Sequence, residues 1–141
     1  MPTECFLDTN VLIYAAMGKA DAPRKQEIAE RILETERFGL SGQVLAEFYS
    51  NVVNPKKYLD PMPANEADVW MKLLGRYPIA AVDGGIVMAG IAHSRRYGIS
   101  YWDGAIIAAA ERLGAPTLYT EDLNHDQTYG SVRVVNPFRA N

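Results

Sequence analysis

Cys5 is the only cysteine in the chain. That excludes an internal disulfide and any thiolate metal cluster, and it fits a reducing compartment. Cys5 lies in an apolar, strand-like segment and reads as a small buried hydrophobe. Histidine is nearly as scarce. His93 and His125 lack metal-binding spacing, and each reads as a surface or capping residue. No apolar run is long enough to span a membrane, and no basic start with an apolar centre marks a signal peptide. A cytoplasmic protein is the expectation. Excess positive charge is also missing. A net charge of −3 argues against coating nucleic acid through bulk charge. It leaves room for a nucleic-acid enzyme, because acids gathered in one pocket lower the net charge and bound cations reverse the local sign. There is no repeat, low-complexity tract or interdomain linker.

The 141 residues suffice for one domain, 1–141, with a real core. Apolar residues at 48% and charged residues at 22% are ordinary for a soluble globular protein. Cys5-Phe6-Leu7 reads as a buried strand ending in Asp8-Thr9-Asn10. Val11 to Met17 is helical, closed by Gly18. Asp21-Ala22-Pro23 starts a helix to about Arg37, with proline early in its first turn. Its apolar stripe is Ile28, Ala29, Ile32 and Leu33. Arg24, Lys25, Glu27, Glu30, Arg31 and Glu34 form a solvated face.

Phe38-Gly39-Leu40 is a second strand, and Ser41 caps a helix to about Val53 striped by Val44, Leu45, Phe48 and Val52. A proline-punctuated loop covers 54–63. Asn65 with Asp68 caps the next helix, striped by Val69, Trp70, Leu73, Leu74 and Tyr77. Residues 78–82 form a weak strand or connector, and Asp83 caps a helix from Gly84 to about Tyr97. Strands follow at Thr117-Leu118-Tyr119 and from Ser131 to Val135. Strands alternating with helices predict an α/β fold: a mainly parallel sheet with helices on both faces.

One further helix begins after Ser100 and runs to about Leu113, with Gly114, Ala115 and Pro116 as its stop. Stepping about 100° per residue, its polar edge holds Gly104, Glu111 and Arg112. Asp103 points the other way, beside Ile106, Ile107 and Ala110. A carboxylate there is costly unless something pairs with it. Ser100-x-x-Asp103 has the form of a capping box, which by itself would leave Asp103 bonded to backbone and chemically idle.

The other acids bear on this. Asp8 and Asp122 each follow a predicted strand. Glu47 lies roughly 120° from the centre of its helix's apolar stripe, at the edge of the buried face. In open parallel sheets, ligands bind beyond the carboxyl ends of the strands. Four acids can therefore converge at one end of the sheet. Packed carboxylates repel and raise each other's pKa, so such a cluster calls for cations. Oxygen-only ligands suit hard ions, Mg²⁺ or Mn²⁺. A pair of ions about 3.5–4 Å apart can activate water and neutralise the leaving oxygen in phosphodiester cleavage.

Four pieces in order, Phe6-Leu7-Asp8-Thr9-Asn10-Val11-Leu12, Ala46-Glu47-Phe48, Ser100-Tyr101-Trp102-Asp103-Gly104-Ala105-Ile106-Ile107 and Tyr119-Thr120-Glu121-Asp122-Leu123, carry a resemblance. The chain resembles a PIN-domain ribonuclease, and specifically a VapC-type toxin of a toxin–antitoxin pair, from Phe6 to Phe138. The resemblance implies a PIN-like three-layer α/β/α sandwich and a Mg²⁺-dependent endoribonuclease, with Mn²⁺ as an alternative ion. Asp8, Glu47 and Asp103 would ligate the metal directly or through water, with Asp122 as the fourth acid. Glu121 should face elsewhere, and Asp126 is close enough to substitute or assist. Thr9, Asn10 and Thr120 are supporting or substrate-side polar groups; Thr9 and Asn10 equally suit the backbone groups of the strand–helix turn. Attack by activated water would leave a 5′-phosphate and a 3′-hydroxyl.

RNA needs cations beyond the metals. Candidates are Lys56 and Lys57, beside Tyr58, and Arg95 and Arg96, with Arg24 and Lys25 as a further pair; each pair also suits ordinary solvated surface. The resemblance points to a structured RNA such as tRNA, a homodimer, and a cognate VapB-type antitoxin that blocks the acidic pocket. The helix faces around Ile32 and Leu33, and around Trp70 and Leu74, suit either protein contact or plain core packing. Two rivals stand beside this reading. A haloacid-dehalogenase-like phosphatase needs a second Asp where Asn10 stands and a late lysine, and none follows Lys72. A catalytically silent PIN-fold binding module would use the same scaffold without cleavage.

Overall fold

The computed structural model of the chain describes residues 2–18 and 22–139. Among these, β1 (Cys5–Leu7) leads into α1 (Thr9–Met17), and α2 (Pro23–Thr35) into β2 (Phe38–Ser41). Then α3 (Gly42–Val52) and α4 (Ala64–Leu74) precede β3 (Ile79–Ala80), and α5 (Gly84–Tyr97) and α6 (Tyr101–Arg112) precede β4 (Thr117–Tyr119). β5 (Thr128–Tyr129) and β6 (Val132–Val135) follow. The sheet order is β3-β2-β1-β4-β6-β5, and neighbours are parallel except for the β5–β6 pair.

From β1 the chain steps outward through β2 to β3, then crosses back to β4. Right-handed crossovers place the helices of the outward steps on one face and those of the return on the other. Helices α1 to α4 therefore cover one face and α5–α6 the other, with α6 lying against β2, β3, β4 and β6. This is the three-layer α/β/α arrangement with a mainly parallel sheet. Both faces of the sheet are covered, so Cys5, Phe6 and Leu7 are all buried and read as a continuous apolar run. The chain reverses its direction of travel across the sheet between β1 and β4. Leu7 pairs with Tyr119 there, so Asp8 and Thr120 leave the sheet level with each other. Such a switch point opens a crevice at the strand ends.

Several local readings need correction. Helix α1 starts at Thr9, two residues early, because Asp8 itself is the N-cap and accepts the Thr9 N–H. Helix α4 starts at Ala64 behind Pro63, with no side-chain cap, so Asn65 and Asp68 lie inside it. Its stripe is also rotated: Ala67 and Leu74 are buried, while Val69 is 57% and Leu73 48% exposed. Ile32 and Leu74 belong to the core, and Leu33 and Trp70 pack half-buried against it. The antiparallel β5 has no signal in its two residues, and Ser131 falls in the turn before β6. The Asp21 start of α2 lies outside the described residues. The caps Ser41, Asp83 and Ser100 each accept a backbone N–H at the expected helix starts.

Gly104 is not on a polar edge. It is buried where α6 crosses α5, and a Cβ there would sit 2.3 Å from the Gly90 carbonyl oxygen. Two glycines facing each other let the backbones touch, which seats the first turn of α6. Gly104→Ala is expected to lower stability by about 1–3 kcal/mol through overpacking, read as a reduced urea midpoint. An unchanged midpoint would mean that the α5–α6 crossing is looser than described.

Candidate active site

Asp8 is only 6% exposed, although it is a carboxylate. Its Oδ1 accepts the Thr9 N–H at 2.7 Å, and its Oδ2 accepts the Thr120 hydroxyl at 2.8 Å and the Asn10 amide at 3.5 Å. Burial pushes its pKa from 3.8 up to about 7; the Thr120 and Thr9 bonds pull it down, while Asp122 and Asp103 push it further up. Desolvation therefore outweighs the hydrogen bonds.

Thr120, itself fully buried, acts as a joint. Its hydroxyl donates to Asp8 and accepts the Asp122 backbone N–H at 3.1 Å. Asn10 donates to Asp122 Oδ2 at 3.1 Å and to Thr120 Oγ1 at 3.3 Å. The Asn10 Oδ1 is buried without a hydrogen-bond partner. An orphan acceptor beside a buried carboxylate is a place for a bound ion or water. Asp122 is exposed at the rim.

Asp103 sits in the first turn of α6, half-buried. Its N–H is taken by Ser100 Oγ at 3.1 Å, which is the capping-box contact. Burial raises its pKa, the Ser100 side chain lowers it, and the Asp122 and Glu47 charges raise it again. The carboxylates of Asp8, Glu47, Asp103 and Asp122 thus share one electrostatic neighbourhood. Glu47 comes from the middle of α3. Its Oε2 accepts the Thr9 hydroxyl at 3.1 Å and its Oε1 the Gln43 amide at 2.9 Å. Among the described residues, no three His, Cys, Asp or Glu side chains form a group that could hold a metal ion.

Gln43 is the residue that sequence reasoning missed. Its Nε2 reaches both Glu47 and the Trp102 carbonyl, at 3.3 Å, and so joins α3 to α6. The i,i+4 spacing of Gln43 and Glu47 on one helix was the available signal. Glu121 faces away from Asp122, as expected. It accepts the Tyr14 hydroxyl at 2.6 Å and Lys25 at 2.9 Å. Lys25 is therefore not simply solvated, and Arg24 holds the Phe138 and Arg139 carbonyls. Asp126 is tied to Arg133 and lies near His125. His93 is not a surface residue: it bonds Glu111, which also takes the N–H and hydroxyl of Ser131. His125 caps the Asn136 N–H.

The cationic candidates split. Arg95 and Arg96 are in the last turn of α5. The turn at 98–100 brings that end beside the first turn of α6, with Ser94 against Gly104. Lys57 bonds Asn51 and lines a cleft with Ala16 and Met17. That is the end of α1 opposite Asp8, so the structure does not bring Lys56 and Lys57 to Asp8.

The sequence profile of the PIN domain matches residues 5–131. The chain belongs to the PIN domain family. A search of curated protein sequences finds no match. Solved structures show the same fold at low identity. A toxin–antitoxin complex from Klebsiella pneumoniae aligns with a TM-score of 0.71 at 21% identity, over 97% of this chain and 100% of that one. The VapC20 toxin of Mycobacterium tuberculosis, described as cleaving the sarcin–ricin loop, aligns at 0.64 and 15% identity, over 84% and 92%. VapBC2 from Rickettsia felis, bound to a promoter DNA fragment, aligns at 0.62 and 19% identity, over 94% and 97%.

The Asp8 shift has a thermodynamic consequence. A carboxyl whose folded pKa exceeds its unfolded value favours folding below about 3.8 and loses that contribution as pH rises to about 7. In metal-free buffer, Asp8→Asn should therefore gain stability over wild type between pH 4 and 8, by up to about 4 kcal/mol. Urea midpoints of the two proteins across that range test this, since titrating groups distant from Asp8 cancel in the difference. Parallel profiles would contradict it.

Proposed function

We propose that the chain is a metal-dependent endoribonuclease, the toxin half of a type II toxin–antitoxin pair. The observation that carries this reading is the buried Asp8 carboxylate, held at the sheet's switch point within the field of Asp103 and Asp122. A protein gains nothing in stability from such an arrangement, so a cationic ligand is its natural reason. The donors fit a hard cation: carboxylate, hydroxyl and amide oxygens, including the partnerless Asn10 Oδ1. Loose spacing of the acids suits Mg²⁺, which keeps several waters and takes only one or two carboxylates. Mn²⁺ would serve equally.

When bound, the cation supplies Lewis acidity, lowering the pKa of water and offsetting charge on the leaving oxygen. Asp8, Asp103 and Glu47 would hold it, some of them through its bound waters, with Asp122 at the rim. The protein's own contribution is rigidity. Thr9 and Thr120 fix the Asp8 oxygens, Gln43 and Thr9 fix those of Glu47, and the α6 N-terminus fixes Asp103. Water oxygen then forms a bond to phosphorus as the P–O3′ bond breaks. The products carry a 5′-phosphate and a 3′-hydroxyl. Arg95 and Arg96 are the better-placed cations for the RNA backbone, and a structured RNA such as tRNA is the substrate class.

The solved structures that share the fold include toxin–antitoxin complexes, which supports a VapB-type antitoxin as a partner; a homodimer is the further partner in this reading. The exposed Leu73, with Leu33 and Trp70, lines a cleft on the α1–α4 face that suits an antitoxin segment.

The test is cleavage of a structured RNA with mapped ends. Wild type should cut in Mg²⁺ or Mn²⁺ and stop in EDTA, leaving 5′-phosphates. Asp8→Asn should lose activity on the order of a hundredfold or more while staying folded. Full activity in EDTA, or 2′,3′-cyclic phosphate ends, would sink the mechanism. RNA binding without cleavage would favour a silent PIN module.

A further inference from the structure

Beside Glu47, a groove of about 540 Å³ opens between α3 and α6. Gln43, Ala46, Glu47, Val82, Tyr101 and Trp102 line it. We propose that this groove binds a nucleobase of single-stranded RNA next to the scissile phosphate. The proposal rests on the nuclease reading above and adds where the substrate's base goes.

Trp102 carries the argument. It directly precedes Asp103 in the chain, yet its side chain stays largely in water, with the residue 63% exposed. An indole left in water costs free energy that the core does not recover. Its position is fixed: the Tyr101 ring meets it edge-on at 5.0 Å, and its carbonyl accepts the Gln43 amide. A flat apolar surface is thus held in place next to the acids and covered by nothing among the described residues. The floor is open because Gly42 and Ala46, one turn apart on α3, carry little or no side chain.

The lining chemistry selects the occupant. The groove has no lysine or arginine, and its one charged residue is Glu47. A phosphate would be repelled there. A neutral planar ring with polar edges would not. It can stack on the Trp102 indole while the Gln43 amide oxygen, whose N–H groups are held by Glu47 and the Trp102 carbonyl, accepts from a donor on its edge. Glu47 belongs both to this groove and to the acid cluster, so a base seated on Trp102 places its own backbone at the acids. Single-stranded RNA is the form whose bases are free to leave their stack and dock in this way.

The chain has two tryptophans, so Trp70→Phe leaves Trp102 as the sole indole. Adding Asp8→Asn stops cleavage. Oligouridylate, oligoadenylate and an abasic ribose-phosphate oligomer of equal length are then titrated, following Trp102 emission. The base-bearing oligomers should quench it saturably and bind at least about fivefold more tightly than the abasic one. Read by the anisotropy of dye-labelled oligomers, which needs no tryptophan, Trp102→Ala should remove that advantage without lowering Tm, and Trp102→Phe should restore part of it. If Trp70→Phe fails to fold, fluorotryptophan labelling of the Trp70-bearing chain reads the same titration by ¹⁹F NMR, with Trp102→Phe assigning the signal. Equal affinity for abasic and base-bearing oligomers, in a chain whose wild type still cleaves RNA, overturns the groove and leaves the nuclease reading intact. A wild type that neither binds nor cuts RNA overturns both. An indole already shielded from acrylamide, in a dimer that Trp102→Ala dissociates, assigns the face to a second copy of the chain and overturns the proposal.

Discussion

The structure turns on the cost of burying one carboxylate. Asp8 sits at the end of the central strand, almost out of water, and burial is the largest influence on its ionisation. Three donors partly compensate: the Thr9 N–H, the Thr120 hydroxyl and, at longer range, the Asn10 amide. Two other acids add repulsion. The compensation is incomplete, and the remaining deficit is what a bound cation would relieve. In the proposed reading, folding supplies the energy that holds the acids together against their repulsion. The same tension then favours metal binding.

The rest of the fold serves that arrangement. The switch between β1 and β4 sets Asp8 beside Thr120, and Thr120 positions Asp122 through its backbone. The Gly90–Gly104 contact seats α6 so that Asp103 arrives at the same end. Gln43 ties α3 to α6 and carries Glu47 with it. Glu121 is drawn off by Tyr14 and Lys25, which frees its neighbour Asp122 to face the crevice rim. Each acid is thus mounted on a different element, and each mount is braced by a contact that spans the chain.

What could be read directly from the sequence was local. Strand ends followed by Asp8 and Thr120, and helix starts at Ser41, Asp83 and Ser100, depend on neighbouring residues and were found where expected. The acids at 8, 47, 103 and 122 stood out for the same reason. What depended on distant partners was hidden. Gly104 looked polar because its role is a backbone contact with another helix. Helix α4 starts on a proline without a side-chain cap and exposes half its apolar stripe, so periodicity misjudged its inner face. The pair His93–Glu111 gives a partner to a histidine that reads from the sequence as a surface or capping residue. Gln43 had a helical spacing to Glu47, but its reach to Trp102 required the fold.

The central claim is that the Asp8 carboxylate is held out of its ordinary ionisation until a cation arrives. Carboxyl ¹³C NMR of Asp8, titrated with and without Mg²⁺ and assigned through Asp8→Asn, measures this directly. The account predicts a midpoint near the value of about 7 in metal-free buffer, falling well below it when Mg²⁺ is added. A midpoint near 3.8 without metal, unmoved by Mg²⁺, would contradict it.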